Sequence, residues 1–516
     1  MPQSTMPQIN NVVMLMLENR SLDNLFGYLY PGAGGPPLTF FPKGSPQQYN
    51  GIPASASNPA FDWLGDLKDY PVLPIPIQEL LKKRDDPSII PWWDPTEEYL
   101  SRFGTGHGVL NQIFGNQNKV STEPPYGTQP TMLGFLQDYW TIETTEAYGG
   151  MDILWMFQPS QIPNLSSGAR HGAISDAWFA SVPTQTNPNR AYSIVGTSCG
   201  RDANELLSAV EQFNLPTIFN ALAKAGKACG LYFTDIWQQS QCYTQYTFPQ
   251  LTNACDEIAN IKQFYTRALN GTLLPFTYLE PKWGYGLSGS IEMTQGTDLH
   301  PPTSVTPGDQ FVGNVIQVLV RSPQWRNTLL IITFDEHGGT YDHVPPQWGA
   351  INPDGLVSKN GFDFNLFGVR VPTILMSPYI APFTVFRAPA GSAYPFDHTS
   401  LIKTLLGWAG VDVNTAGFFN RMPQAPTFDG VLSSNDTAAA DNDAAIQETF
   451  AKGPLAVPSE TKPLRTNNAL FEGVARASVR YITATSRTPE QMIEKIAEYK
   501  RDPEAFEATL IAQSQT

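Results

Sequence analysis

Two apolar runs of strand length end in acids. Val12 to Leu17 leads into Glu18-Asn19-Arg20-Ser21, and Leu329 to Phe334 leads into Asp335-Glu336-His337-Gly338-Gly339. In an open parallel sheet, ligands bind where the carboxyl ends of the strands meet the loops, so polar residues directly after a buried strand are where chemistry is expected. Glu18, Asp335 and Glu336, with the Asn19 amide, offer hard oxygen ligands for a divalent cation. A single acid after a strand is ordinarily a turn or a helix cap. The second segment holds more: Asp335, Glu336, His337, Asp342 and His343 fall within nine positions around a glycine pair that lets the backbone turn sharply.

A nucleophile is the next requirement. Thr186 lies in Pro183-Thr184-Gln185-Thr186-Asn187-Pro188-Asn189-Arg190, a polar turn running into an apolar-rich segment. A metal could activate its hydroxyl, and Arg190 could pair with a carboxylate or a phosphate. Of six histidines, His300 lies in Asp298-Leu299-His300-Pro301-Pro302, His398 follows Asp397 at a helix start, and His107 stands between two glycines. Each of these three reads equally as structural or catalytic. His171 and His337 read as structural.

The elements that must bring these residues together alternate along the chain. Val12–Leu17, Cys229–Phe233, Phe276–Leu279, Leu329–Phe334 and Val369–Met376 read as strands; Pro216–Ala225, Gly308–Arg321 and Thr399–Trp408 read as helices. That alternation predicts an α/β fold with a mainly parallel central sheet flanked by helices. Residues 30–106 are rich in Pro, Gly and aromatics, which no long helix or central strand tolerates, and read as an irregular insertion forming a lid or rim. The catalytic domain is expected over 1–429. A C-terminal helical extension is expected over 430–516, where Thr488-Pro489-Glu490-Gln491 and Asp502-Pro503-Glu504 start two helices. It contains no His or Cys, and suits packing, homo-oligomerisation or contact with a delivery partner.

Composition narrows the function classes. With 41% apolar and only 15% charged residues, a disordered chain is excluded. A net charge of −15 repels a phosphate polyanion, so no nucleic-acid partner is expected. No apolar run reaches the ~18–20 residues that cross a bilayer. No Lys or Arg precedes the first apolar run, so no secretory signal is expected. The protein is then cytoplasmic, or exported by a dedicated apparatus as a toxin or effector. Cys199, Cys229, Cys242 and Cys255 lack zinc-knuckle spacing and read as buried thiols; Cys242 and Cys255 would be the pair if one disulfide formed.

Taken together, the segments MLENRSLDNLFGYL, GHGVLNQIFG, SDAWFASVPTQTNPNR, FTYLEP, DLHPP, FDEHGGTYDHVPP and FDHTSLIKTLL resemble, in order, the bacterial and plant phosphoesterases that include phosphatidylcholine-type (non-specific) phospholipases C and a related acid phosphatase. The likeness covers most of Asn10 to about Met422. It implies an alkaline-phosphatase-like α/β fold and a metal-dependent site, with Glu18, Asn19, Thr186, Asp335 and Glu336 at the metal. Thr186 would be the nucleophile, with His300 and His107 beside the phosphoryl group. Relatives often carry Asp-Pro-Gly-His ahead of the QIFG segment. This chain instead has Asp94-Pro95-Thr96-Glu97, with Gly106-His107 separate.

The mechanism that follows is two-step phosphoryl transfer through a phosphothreonine. Asp335 or Glu336 takes the hydroxyl proton and His300 protonates the departing alcohol. Asp342, His343, Asp397, His398 and Arg190 are expected to orient the ligands from behind. The metal is one or more divalent ions, Ca, Mg, Mn, Zn or Fe. The substrate is expected to be a phosphatidylcholine-type phospholipid met by peripheral membrane contact; the aromatics Trp92, Trp93, Trp140, Trp155 and Phe157 could receive acyl chains or a choline, and ordinary core packing explains them equally well. The alternatives are a broad acid phosphatase and an inactive lipid-binding or assembly protein.

Overall fold

The structure, a computed structural model, describes residues 3–30, 35–44, 48–62, 64–83, 85–100, 108–115, 120, 122–141, 150–204, 212–234, 242–283 and 296–453. The helix starts expected near Thr488 and Asp502 lie outside these residues.

Nine strands form the central sheet: β1 (Asn11–Leu17), β2 (Thr39–Phe41), β3 (Ala173–Ser175), β4 (Cys229–Phe233), β5 (Glu257–Asn260), β6 (Phe276–Glu280), β7 (Thr328–Phe334), β8 (Thr373–Met376) and β9 (Thr384–Phe386). Their spatial order is β2-β9-β3-β8-β7-β1-β6-β4-β5. All neighbours are parallel except that β8 runs antiparallel to both β7 and β3. The sheet is therefore mixed but mainly parallel, as the alternation of strands and helices predicts.

β1 and β7 lie side by side at the centre, and every one of their residues is buried. This is why they read as unbroken apolar runs: a strand covered on both faces has no polar side to show. Their register pairs Asn11 with Thr328 and Leu17 with Phe334. The strands thus end level, and Glu18 emerges beside Asp335 although 317 positions of sequence separate them.

The strand expected over Val369–Met376 begins only at Thr373. Pro372 lacks an N–H for the ladder, and Arg370 turns aside into a buried ion network. The Val305–Val320 helix starts earlier than expected, with the Ser304 hydroxyl accepting from the Thr306 N–H at 3.2 Å. Pro307 sits in its first turn, where a missing N–H costs nothing.

Pro163–His171, Ile261–Leu269 and Asp436–Phe450 gather around Val305–Val320, while Thr186–Ile194 and Ile218–Lys224 pack on His398–Trp408. The Asp436–Phe450 helix buries Ala439, Ile446 and Phe450 in the main core. Within 30–106, Thr39–Phe41 adds an edge strand to the sheet, and Ser57–Phe61 pairs with Leu67–Pro71 in a separate hairpin. All four cysteines are free thiols. Among the described residues no helix is long and apolar enough to cross a membrane.

Candidate active site

The carboxyl ends of β1 and β7 carry the site. Glu18, Asn19, Asp335 and Glu336 are fully buried there, and Thr186 is buried at the first position of the Thr186–Ile194 helix. The Thr186 hydroxyl donates to Asn19 Oδ1 at 3.4 Å. The Asn19 N–H donates to Asp335 Oδ1 at 3.2 Å, and the Glu336 N–H donates to the same oxygen at 2.8 Å. Glu336 in turn accepts from the Gly338 N–H at 2.7 Å, which folds its side chain back over the turn.

Asn19 is held in left-handed backbone conformation, φ +54°, an uncommon state for a residue with a side chain. Gly338 makes room for it. A Cβ at Gly338 would stand 2.1 Å from the Asn19 carbonyl oxygen, so the glycine pair in the sequence is required by close approach as well as by its own positive φ. At Gly339 a Cβ would meet Pro95 and the Thr96 carbonyl oxygen at 2.6 Å. The turn after β7 is thereby pressed against the Asp94–Glu97 segment.

Arg190 lies beneath the acids. Its guanidinium donates to Glu18 Oε1 at 2.8 and 3.1 Å and to Asp335 Oδ2 at 3.3 Å, and also to the Tyr278 hydroxyl at 3.2 Å. The ring of Trp283 covers it at 4.8 Å. Of the two partners its sequence context allowed, carboxylate or phosphate, Arg190 takes the carboxylates.

Charge at this site is unbalanced. Burial, then the Asp335 charge, raises the Glu18 pKa well above the ordinary carboxylate value. Burial, then Glu97 and Asp335, does the same to Glu336. Glu18 Oε2, Glu336 Oε1 and Glu97 Oε2 are buried with no hydrogen-bond partner among the described residues. Carboxylate oxygens left without donors are costly. The oxygens of Glu18, Asn19, Thr186, Asp335 and Glu336 are of the hard type a divalent cation takes, but among the described residues the groups of three or more acids and imidazoles whose ligand atoms lie within 4.8 Å of one another are Asp94–Glu97–His300 and Asp23–Asp342–His343.

The remaining expected residues are distributed as follows. His300 is buried, its Nε2 2.8 Å from Asn19 Nδ2 and 3.3 Å from Glu97, its Nδ1 2.5 Å from the Pro301 carbonyl oxygen. Burial would lower its pKa, but the Asp94 and Glu97 carboxylates raise it well above the usual imidazole value. His398 places Nε2 2.6 Å from the Asp335 carbonyl oxygen, and burial lowers its pKa. Asp397 accepts from the Ser181 hydroxyl at 2.8 Å, and the Arg421 guanidinium lies 3.6 Å away. Asp342 and His343 join Asp23 and Arg370 in a separate buried ion network. There Arg370 donates to Asp342 Oδ1 and Asp23 Oδ1, both at 2.9 Å, and His343 Nδ1 lies 2.5 Å from Asp23 Oδ2. His337 is buried against Gln112 with its pKa pushed down to about 3 by burial, and His171 is half-buried against Thr449. His107 lies outside the described residues.

Two residues that sequence reasoning did not assign, Asp94 and Glu97, belong to the site. With His300 they form a group whose ligand atoms lie within 4.8 Å of one another and which could hold a metal ion. Both come from the Pro-rich stretch, where no periodicity points inward. Their sequence signal is the Asp94-Pro95-Thr96-Glu97 run, which has Thr96-Glu97 where the resembled pattern has Gly-His.

The Phosphoesterase family model matches residues 9–411, and the chain belongs to that family. Non-specific phospholipase C1 of Arabidopsis thaliana is 30% identical over 416 residues, which cover 78% of this chain and 67% of that relative. Non-specific phospholipase C4 of the same plant is 35% identical over 319 residues, covering 58% of this chain and 55% of the relative, little over half its length. Among solved structures, a protein in the alkaline phosphatase superfamily from Vibrio parahaemolyticus matches 53% of this chain and 63% of its own at 15% identity with a TM-score of 0.29. The protein is a hydrolase acting on phosphoric esters.

Proposed function

We propose that the protein is a metal-dependent phospholipase C that cleaves phosphatidylcholine-type lipids through a phosphothreonine at Thr186. The observation that carries this reading is the buried Thr186 hydroxyl at a helix start, 3.4 Å from the Oδ1 of Asn19, whose own N–H is bonded to Asp335. The names of the plant relatives support the diester substrate. A divalent cation held by Glu18, Asn19, Thr186, Asp335 and Glu336 would supply positive charge that lowers the hydroxyl pKa and offsets charge on the phosphoryl oxygens.

In this proposal the chain's own residues divide the steps as follows. A carboxylate of the Asp335–Glu336 pair accepts the Thr186 proton. The threonine oxygen then bonds to phosphorus while the bond from phosphorus to the glycerol oxygen breaks in line. His300, kept protonated by Asp94 and Glu97, gives a proton to the departing oxygen, and diacylglycerol leaves. Water then gives a proton to His300 as its oxygen bonds to phosphorus and the bond from phosphorus to the threonine oxygen breaks; the carboxyl returns its proton to Thr186, and the phosphorylated head group leaves. Arg190 holds Glu18 and Asp335 in place, and His398 holds the Asp335 backbone. Trp92 and Trp93 are half-buried and pack against different cores, Trp92 on the main one and Trp93 on the second.

The test is a substrate panel with the purified chain and added Mn2+ or Ca2+. Phosphocholine and diacylglycerol are the expected products from phosphatidylcholine vesicles, with elemental analysis showing bound metal. Choline with phosphatidic acid would indicate the other scissile bond. Turnover of monoesters alone would give the acid phosphatase reading, and no turnover with any metal would favour a lipid-binding protein.

A further inference from the structure

We propose that Glu97 is a positioning residue for this reaction, holding the Asn19 carboxamide in the orientation that presents its oxygen to Thr186. The inference rests on the role given above to Asn19 and Thr186. A carboxamide has two ends of nearly equal size, and only its hydrogen-bond partners decide which end points where. Here Asn19 Nδ2 lies 2.5 Å from Glu97 Oε1, while Oδ1 faces the Thr186 hydroxyl. A carboxylate accepts and cannot donate, so turning the amide over would set two acceptors against each other. A hydrogen bond to a charged acceptor is also roughly twice as strong as a neutral one.

The rest of Asn19 is fixed independently. Its N–H is tied to Asp335, and its carbonyl oxygen is packed against Gly338. The side-chain amide is the freedom that remains, and Glu97 removes it. Glu97 is itself braced: Gly339 lets Pro95 and Thr96 close over the turn, Gln112 Nε2 donates to the Thr96 carbonyl oxygen at 2.8 Å, and the Val109 N–H donates to the Glu98 carbonyl oxygen at 2.8 Å.

A double-mutant cycle tests this coupling. Wild type, N19A, E97A, E97Q and the two double variants are compared by kcat and KM on p-nitrophenylphosphocholine, and by Mn2+ affinity from equilibrium dialysis. E97A is expected to lower kcat at least tenfold with KM within threefold, and to weaken Mn2+ binding several-fold. E97Q, which keeps an acceptor oxygen but no charge, should fall between E97A and wild type. In the N19A background, loss of Glu97 should change kcat and Mn2+ affinity less than twofold, because the group it acts through is gone. Equal losses in both backgrounds, or full activity in E97A, would overturn the inference. Should E97A fail to fold, near-isosteric E97Q decides by the same comparison. If N19A alone keeps full turnover and Mn2+ affinity, the site reading itself fails and takes this inference with it.

Discussion

Arg190 and Glu18, 172 positions apart in sequence, meet through two hydrogen bonds of 2.8 and 3.1 Å with both side chains out of solvent. One guanidinium thus compensates the acids at the ends of two different strands, since it also reaches Asp335. Removing one partner of a buried pair leaves an uncompensated charge and typically costs about 3–5 kcal/mol. R190A is expected to lose that much in urea unfolding of the metal-free protein, and R190K most of it, because an ammonium cannot reproduce the forked contact. Added Mn2+ should return part of the loss by binding the folded state. A metal-free R190A as stable as wild type would remove Arg190 from this role.

Thr186 supplies the second prediction. T186A deletes a hydroxyl whose partner in the structure is Asn19 Oδ1 at the long distance of 3.4 Å, so little stability depends on it. Turnover should fall by roughly a thousandfold or more while the unfolding midpoint changes little, the signature of a group used only in the reaction. T186S should keep part of the activity. Acid quenching during turnover of a lipid with a radiolabelled head group should leave label on wild-type protein and none on T186A; label retained on T186A would place the nucleophile elsewhere.

Much of this was legible before folding. Strands covered on both faces must be apolar throughout, so β1 and β7 announce themselves, and the polar residues after them mark the sheet's carboxyl end. What the chain could not disclose is which acids a given cation serves: nothing in Pro188-Asn189-Arg190 says that Glu18 and Asp335 lie above it. Glu97 was hidden for another reason. It sits in an irregular stretch whose side chains follow no period, and its inward direction is set by Gly338-Gly339, some 240 positions later. Those glycines signal a close neighbour without naming it.

The close approach makes a third prediction. G338A combines left-handed strain of about 1–2 kcal/mol with a Cβ 2.1 Å from the Asn19 carbonyl oxygen, a contact that only movement of Asn19 can relieve. Gly361, φ +86° with nothing within 4 Å of the position a Cβ would take, is the matched control, because G361A incurs the strain alone. G338A should be less stable than G361A and should lose kcat at least tenfold, whereas G361A keeps it. Equal kcat in both variants would show that displacing Asn19 does not matter to the reaction.

The fourth prediction concerns pH. Asp138 is buried; its Oδ1 accepts from the Gly108 N–H at 2.7 Å and its Oδ2 from Gln112 Nε2 at 3.0 Å, yet burial still pushes its pKa up to about 7. An unfolded aspartate titrates near 3.9. Below that value both states are protonated and nothing is lost. As pH rises from about 4 to about 7 the unfolded chain releases its proton first, so stability falls through this window and levels off above it. The contribution is at most on the order of 4 kcal/mol for a shift of this size. D138N cannot titrate, so the stability difference between wild type and D138N, measured by urea unfolding at pH 4.5 and 7.5, should shift against wild type at the higher pH. A difference that stays constant between the two would mean that Asp138 is ionised throughout, held so by the donors around it.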